Sequence, residues 1–530
     1  MSFASWLDRF FDSYYRRHPV NATFIGFHER DHALPDFSER GASSHLEEIR
    51  SLRRELEALP GEALSASQSI DRDLARGFLE IEKWELESGY LYRRNPAFYT
   101  GEAVFGVFSL LLREFAPRRE RYGAAAERLS AIPRFLEEAR GNLRVAPRPW
   151  TERALRECDG ALQFFDDGLS VLEASTELSR PAVAARSAFV AFRDYLERGL
   201  LDSKSEDYRC GEEAFGRLLG QAHFLDWTSE EILERASESL RSSEAELSSG
   251  APAFGSADWR QVLASLEDVH PQSDESYQRY RELWEESRSL VIERDLLTWP
   301  DYPIDFVPQP AWARSAAPKL YFLFYRSPAP LDGLRRVDYQ VPPAPTHESA
   351  IKLNHVAHHG GLGHHIQNWH AMRAPSRIGR IAAVDCASRI AMLCGGTMAE
   401  GWASYATELL DEAGFLTPLE SFSEHHARAR AAARAIVDVE IHRGGMSFEE
   451  AESFYQKRTN MSPGAARAEV TKNTMFPGAA LIYFVGRTLI RDLRREMEPR
   501  IGLREFHDRF LAHGSIPVAL VSRSMRMKTA

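Results

Sequence analysis

The stretch Asn354-His355-Val356-Ala357-His358-His359-Gly360-Gly361-Leu362-Gly363-His364-His365-Ile366-Gln367-Asn368-Trp369-His370 decides how this chain is read. Six of the 18 histidines lie between positions 355 and 370, where an even spread would place about half a residue. Core packing gives no reason for so many imidazoles in one segment. Neutral imidazole nitrogens suit zinc and other borderline metals, which accept them in tetrahedral geometry. A His-rich patch that binds metal loosely is the competing reading. On an unbroken helix His358 and His364 would stand about 9 Å apart along the axis, too far to share one ion. Gly360, Gly361 and Gly363 interrupt that helix, and a tight glycine turn can fold the second histidine pair back toward the first. Ligands are expected on both sides of a kink.

A third ligand has to come from elsewhere. Glu400-Gly401-Trp402-Ala403-Ser404-Tyr405-Ala406 follows, and Glu400 reads as an acidic residue opening a helix. Beside two imidazoles it would complete a His₂Glu set with a fourth position open; alone it is a solvated helix-start carboxylate. Farther on, Arg434, Asp438 and His442 recur at i, i+4 and i+8 and share one helical face. That stripe is either an exposed salt-bridge ladder or a set that orients a ligand or stabilises a developing oxyanion.

On the N-terminal side of the histidines, prolines crowd positions 297–345. Between them, Leu320-Tyr321-Phe322-Leu323-Phe324-Tyr325 and Val337-Asp338-Tyr339-Gln340-Val341 read as short strands of a small antiparallel sheet near the metal site. A loop holding Asp332-Gly333 joins them, and Thr346 is the expected N-cap of the helix that resumes. Most of the remaining chain shows helical spacing. Phe3, Trp6, Phe10 and Tyr14 recur at that period, as do Ile70, Leu74, Phe78 and Ile81. Helices are also expected over 120–142, 152–175 and 179–200, and capping boxes stand at Thr228/Glu231 and Ser447/Glu450. The fold class is mainly α, read as an N-terminal helical region (1–295), the Pro-rich segment (296–345) and a helical metal-site region (346–530) in one unit.

Composition narrows the function. A chain of 530 residues with 44% hydrophobic and 27% charged residues is an ordinary globular sequence. Its net charge of −11, without a long basic run, argues against nucleic acid or an anionic membrane as partner. Four cysteines without a CxxC pair exclude a disulfide framework and a Cys-ligated zinc site. Asp8 and Arg9 interrupt the N-terminal apolar residues, and no run of about 18 apolar residues appears, so a cytoplasmic location is expected.

In this order the motifs resemble the bacterial domain-of-unknown-function 885 family, whose members look like helical zinc peptidases of the gluzincin-like type. The family pattern H-E-x-x-P-G-H-H-x-Q corresponds to His358–Gln367, and E-G-W-A-x-Y to Glu400–Tyr405. R-x-x-x-D-x-x-x-H corresponds to Arg434–His442, and P-G-Q-A-x-x-Y-x-x-G to Pro477–Gly486. Pro19 through Gly26, His28 and Asp31 look like the family's opening, and Arg128–Pro133 like its middle. The resemblance implies metal ligands at His358, His364 and Glu400, with His365 competing for the place of His364. It implies transition-state stabilisation by His442 and Tyr483, supported by Arg434 and Asp438.

Three positions depart from the pattern. His359 stands where the family has its catalytic Glu, Leu362 replaces Pro, and Ala479 replaces Gln. An imidazole can move a proton near neutral pH but lacks the charge that orients water, and loss of a general base costs about 10²–10⁴ in rate. The expected function is a metal-dependent hydrolase of amide or ester bonds in a small or peptide-like substrate, with His359 in the catalytic position. Zinc is the expected metal, with iron or another divalent ion as alternative. A repurposed metal enzyme and an inactive peptidase-like binding protein are the other readings.

Overall fold

The computed structural model describes residues 2–59, 64–172, 176–203, 205–268, 276–320, 329–333, 337–341, 343, 346–381 and 390–527. The first helix, Phe3–Arg17, buries the aromatic stripe expected from its spacing. Its consecutive rings stack with centroids 5.7–6.4 Å apart. Phe78 of the Ala66–Ser88 helix meets Phe10 and Tyr14 edge-on. The other expected helices form as Arg118–Asn142, as Arg148–Gln163 and as Thr176–Tyr195. The last two run on into the π-helical turns Phe164–Gly168 and Leu196–Leu200. Ahead of these three lies Pro96–Leu111, buried from Pro96 to Leu110. A helix apolar all round carries no amphipathic period, so spacing alone does not reveal it. Both capping boxes form.

Two local expectations are corrected. The cap before the histidine segment is His347, not Thr346: the His347 ring Nδ1 accepts the Ala350 N–H at 3.1 Å. The two-stranded sheet is parallel, not antiparallel. Val337–Val341 (β2) is a strand as expected, but its partner is Ile304–Pro308 (β1), in register Ile304↔Val337 through Pro308↔Val341. Proline brackets hide β1 in the sequence, because a strand tolerates proline at its ends. The 321–325 part of the other expected strand lies outside the described residues.

The sheet packs its buried side, Ile304, Phe306, Val337 and Tyr339, against Tyr280 and Trp284 of the helix Ser276–Glu293 and against Ile351 and Val356. It thereby braces the histidine segment. One apolar cluster runs from Phe3 to Met525, and polar bonds stitch the two ends of the chain. Trp150 Nε1 donates to Thr474 Oγ1 at 2.9 Å, and Asp71 accepts from Ser376 and from the Arg377 and Ile378 N–H groups. Among the described residues no helix is long and apolar enough to cross a membrane.

Candidate metal centre

From Ile351 to Gly360 the chain forms a ten-residue π-helix instead of an α-helix. Its wider i→i+5 turns are rare and cluster at functional sites. The neighbouring sheet and helix hold it: Tyr339 and Tyr280 hydroxyls lie 2.8 and 3.2 Å from His355 Nδ1, and Trp284 Nε1 donates to the Gly360 carbonyl at 2.9 Å. His358 and His359 emerge at its end, where the chain reverses. The Gly363 N–H donates to the Ala357 carbonyl at 3.0 Å, and a Cβ on Gly363 would lie 1.9 Å from the His358 carbonyl oxygen. Only glycine allows that approach. The helix His364–Ala371 then starts with His364 folded back on the first pair, as the glycine spacing predicts.

The rings of His358, His359 and His364 have centroids 4.8–5.3 Å apart, and one nitrogen from each lies within 4.8 Å of the others. Glu400 joins them, though not from a helix start. It sits inside the helix Ile390–Glu412, ten residues past its first residue, so a helix N-terminus does not account for it. Its Oε2 lies 3.3 Å from His358 Nε2 and 3.7 Å from His364 Nε2. That oxygen is buried and accepts no hydrogen bond.

The E-G-W-A-S-Y motif builds this placement. Gly401 lets the backbone of Gly486 approach, since a Cβ on Gly401 would lie 2.6 Å from the Gly486 Cα. Trp402 Nε1 donates to the Leu362 carbonyl at 2.9 Å and ties the glycine turn to the glutamate helix. Tyr405 hydroxyl bonds His507 Nε2 at 2.8 Å.

A divalent ion fits this set. Donors on a tetrahedral zinc, each at about 2.0–2.1 Å, stand about 3.3–3.4 Å from one another, close to the spacings of Glu400 Oε2. An orphaned buried oxygen aimed between two imidazoles is what such an ion would satisfy. His359 Nδ1 lies 2.7 Å from the Asn354 carbonyl. That contact makes Nδ1 the donor and Nε2 the acceptor, the outer hydrogen bond usual for a metal-ligating histidine. Burial drives His364 down to about 4, and His358 adds to this while Glu400 opposes it. His359 is pushed well below the usual histidine range by burial and by the His358 and His364 rings. Both are therefore neutral, the ligating form. Burial pulls the Glu400 carboxyl upward, while the His364 and His358 rings when protonated, and Lys472, favour its ionised form and hold it below the usual carboxylate range.

The competitor His365 points elsewhere. It is buried, stacks on Tyr302 at 4.5 Å and has Nε2 2.8 Å from the Tyr302 carbonyl.

Nor does the Arg434–Asp438–His442 stripe form an exposed ladder: Asp438 and His442 are fully buried. Asp438 accepts the N–H groups of Gly478, Ala480 and Leu481 at 2.9–3.0 Å and so fixes the turn before Tyr483. Burial lifts its carboxyl to about 7 while those three donors pull it down. His442 Nε2 lies 3.0 Å from the Asn473 carbonyl, and Nδ1 accepts the Cys210 N–H at 3.3 Å. Both ring nitrogens are committed to backbone, which makes His442 a brace rather than a stabiliser of a reacting atom. Arg434 binds Glu469 through two hydrogen bonds, 2.6 and 3.1 Å, and lies over the Tyr483 ring at 4.7 Å.

Glu469 and Lys472, both on the helix Pro463–Met475, were not foreseen. They stand three residues apart on a helix with no amphipathic period to mark them, and only the folded chain brings Lys472 within electrostatic reach of both Glu400 and Glu469.

The comparisons agree with this picture at the level of fold and family. No curated protein matches the chain. A solved structure described as "a putative lipoprotein of unknown function from Shewanella oneidensis" shares the fold with a TM-score of 0.77 and 22% identity, over 99% of this chain and 100% of that one. A second, "the putative lipoprotein from Colwellia psychrerythraea", gives 0.77 at 17% identity, over 99% of this chain and 98% of the other. The model of the family described as "Bacterial protein of unknown function (DUF885)" matches residues 19–525, and the chain belongs to that family.

Proposed function

We propose that the chain is a metal-dependent hydrolase on a gluzincin-like helical scaffold, cleaving amide or ester bonds in a small or peptide-like substrate. The carrying observation is the buried, unbonded Glu400 Oε2 at 3.3 and 3.7 Å from two imidazole nitrogens. His358, His364 and Glu400 would hold the ion, zinc before iron. Such an ion supplies Lewis acidity toward a carbonyl oxygen and lowers the pKa of water toward about 7. His359, with Nδ1–H held by Asn354, presents Nε2 as the proton acceptor in the family's carboxylate position. Tyr483, placed by the Asp438-held turn and by Arg434, presents a phenol donor to an oxyanion. The proposal includes a cytoplasmic protein without nucleic-acid or membrane partners, checked by cell fractionation.

A second reading has its own support. His359 stands within 4.8 Å of the other two ligand nitrogens, and four donors would close a tetrahedral site as structural zinc sites are closed. The chain would then be an inactive peptidase-like binding protein. Elemental analysis of the purified protein, with turnover of an amide and ester panel, separates the two. About one metal per chain is expected, lost in His358→Ala and Glu400→Ala and kept in His370→Ala. Metal content unchanged in both ligand variants would sink the site; bound metal without turnover of any panel member would favour the closed-site reading.

A further inference from the structure

The helix Thr176–Tyr195 packs one side against Arg118–Asn142 and Arg148–Gln163. Its sequence repeats over two heptads, Val183-Ala184-Ala185-Arg186-Ser187-Ala188-Phe189 and Val190-Ala191-Phe192-Arg193-Asp194-Tyr195-Leu196. Most of the repeat serves the single chain. The third and seventh residues, Ala185 with Phe189 and Phe192 with Leu196, are buried. The fourth, Arg186 and Arg193, bind Asp166 and Asp159 at 2.7 and 2.9 Å. The leading Val-Ala pair does neither. Val183 and Val190 are 67% and 40% exposed, and Ala184 and Ala191 are exposed beside them. An apolar pair recurring every seven residues on one face is the seam along which two helices pack.

The order of charges along the seam selects its occupant. Val183 and Ala191 each stand four residues from Ser187, Ala184 and Val190 each three, and Arg180 and Asp194 each seven. Arg180 and Asp194 are exposed. A second copy laid antiparallel across a two-fold axis at Ser187 sets every valine on an alanine and each Arg180 against an Asp194. A parallel copy would oppose like charges at both ends. Asp194 has a partner in its own helix, Arg198 at 3.9 Å, but both side chains are more than half exposed, and such a pair is worth little. We infer that the chain self-associates through this face as a two-fold dimer. A closed dimer needs a patch complementary to itself, and this one is, in shape and in charge. One helix from each copy makes a small interface, under about 1,200 Å² in total, so the dimer is reversible with a micromolar dissociation constant.

Sedimentation equilibrium of the full chain, from the low micromolar into the millimolar range, is the experiment. A monomer–dimer equilibrium is expected. Val183→Glu with Val190→Glu should weaken it by about tenfold or more, because each copy would bury charge in an apolar seam. Arg180→Asp or Asp194→Arg alone should weaken it about fivefold, and the two together should restore it, since the exchanged charges again meet their opposites. All four positions are exposed, so thermal unfolding of the variants should match that of the wild type. Ser187→Cys gives an independent measurement: mild oxidation should cross-link it to its own copy, where the wild type stays uncrosslinked. A chain that remains monomeric at every concentration would overturn the inference. So would a dimer that survives the paired valine substitutions, or one that neither single charge variant weakens.

Discussion

His359 concentrates the chemistry into one side chain. In the proposed reading it stands where the resemblance places a carboxylate, beside two imidazoles and a glutamate that the fold brings together. If the scaffold has lost its base, His359→Glu should raise slow hydrolysis of aminoacyl amides, read as initial rate per bound metal. A gain of about 10-fold or more lies within the range typical of a general base. If His359 is a fourth ligand, the same variant should weaken metal retention instead. Neither change would count against both roles. Gly363 sets the geometry around it. Gly363→Ala places a methyl against the His358 carbonyl, with 1.9 Å available, so a loss of about 1–3 kcal/mol in stability is expected, together with loss of metal. Denaturant unfolding and elemental analysis check both. At this scale the sequence was informative, since the glycine spacing already allowed the second histidine pair to fold back toward the first. What it could not show was which of His364 and His365 turns inward; that depends on the Tyr302 carbonyl, 63 residues away.

Among elements, two crossings position the site. The helices Ile390–Glu412 and Ile482–Ile501 touch at Gly401 and Gly486, where a Cβ on Gly486 would lie 2.1 Å from the Thr397 carbonyl oxygen. Gly486→Ala should push the helices apart beside Glu400. Metal affinity should fall while the three imidazoles stay in place, a change visible as an altered metal spectrum with cobalt substitution. The second link joins the 3₁₀ turn His28–Arg30 to the Pro-rich segment. His28 lies 2.9 Å from Asp31 and 2.7 Å from Asp332, and stacks on Phe115. Burial works against its charge, yet hydrogen bonds to both carboxylates raise its pKa from 6.5 to about 9. A raised histidine pKa gives stability that is complete below the unfolded value and lost as pH climbs through the folded one. The wild-type chain should therefore lose about 1–3 kcal/mol more than His28→Asn between pH 6 and pH 10. Side-by-side pH profiles of thermal unfolding would show it; coincident slopes would rule out a stabilising role for the His28 contacts. Elements were less legible than residues. The parallel pairing of the sheet joins strands 33 positions apart in register, Ile304 with Val337. Local turn chemistry at Asp332-Gly333 says nothing about a pairing that distant.

For the molecule as a whole, the apolar cluster from Phe3 to Met525 and the Trp150–Thr474 and Asp71–Ile378 bonds make the N-terminal helices part of the histidine region's support. A fragment of residues 296–530 should consequently fail to fold alone, showing helical far-UV signal without near-UV aromatic signal. A cooperative transition in that fragment would disprove the dependence. Helical character was readable along most of the chain, because amphipathic spacing is a local property. The all-buried Pro96–Leu111 helix and the closeness of Lys472 to Glu400 were not, because each arises from packing between distant segments. The π-helix Ile351–Gly360 carries a last consequence. A stretch wound wider than its neighbours holds its phase by residue count, so removing a single codon between 351 and 357 would rewind it toward the ordinary pitch. Every candidate ligand would still be spelled in the gene, yet His358 and His359 would be rotated away from His364 and Glu400. A lesion of length alone would therefore silence this centre, and no residue-by-residue comparison of the donors would register it.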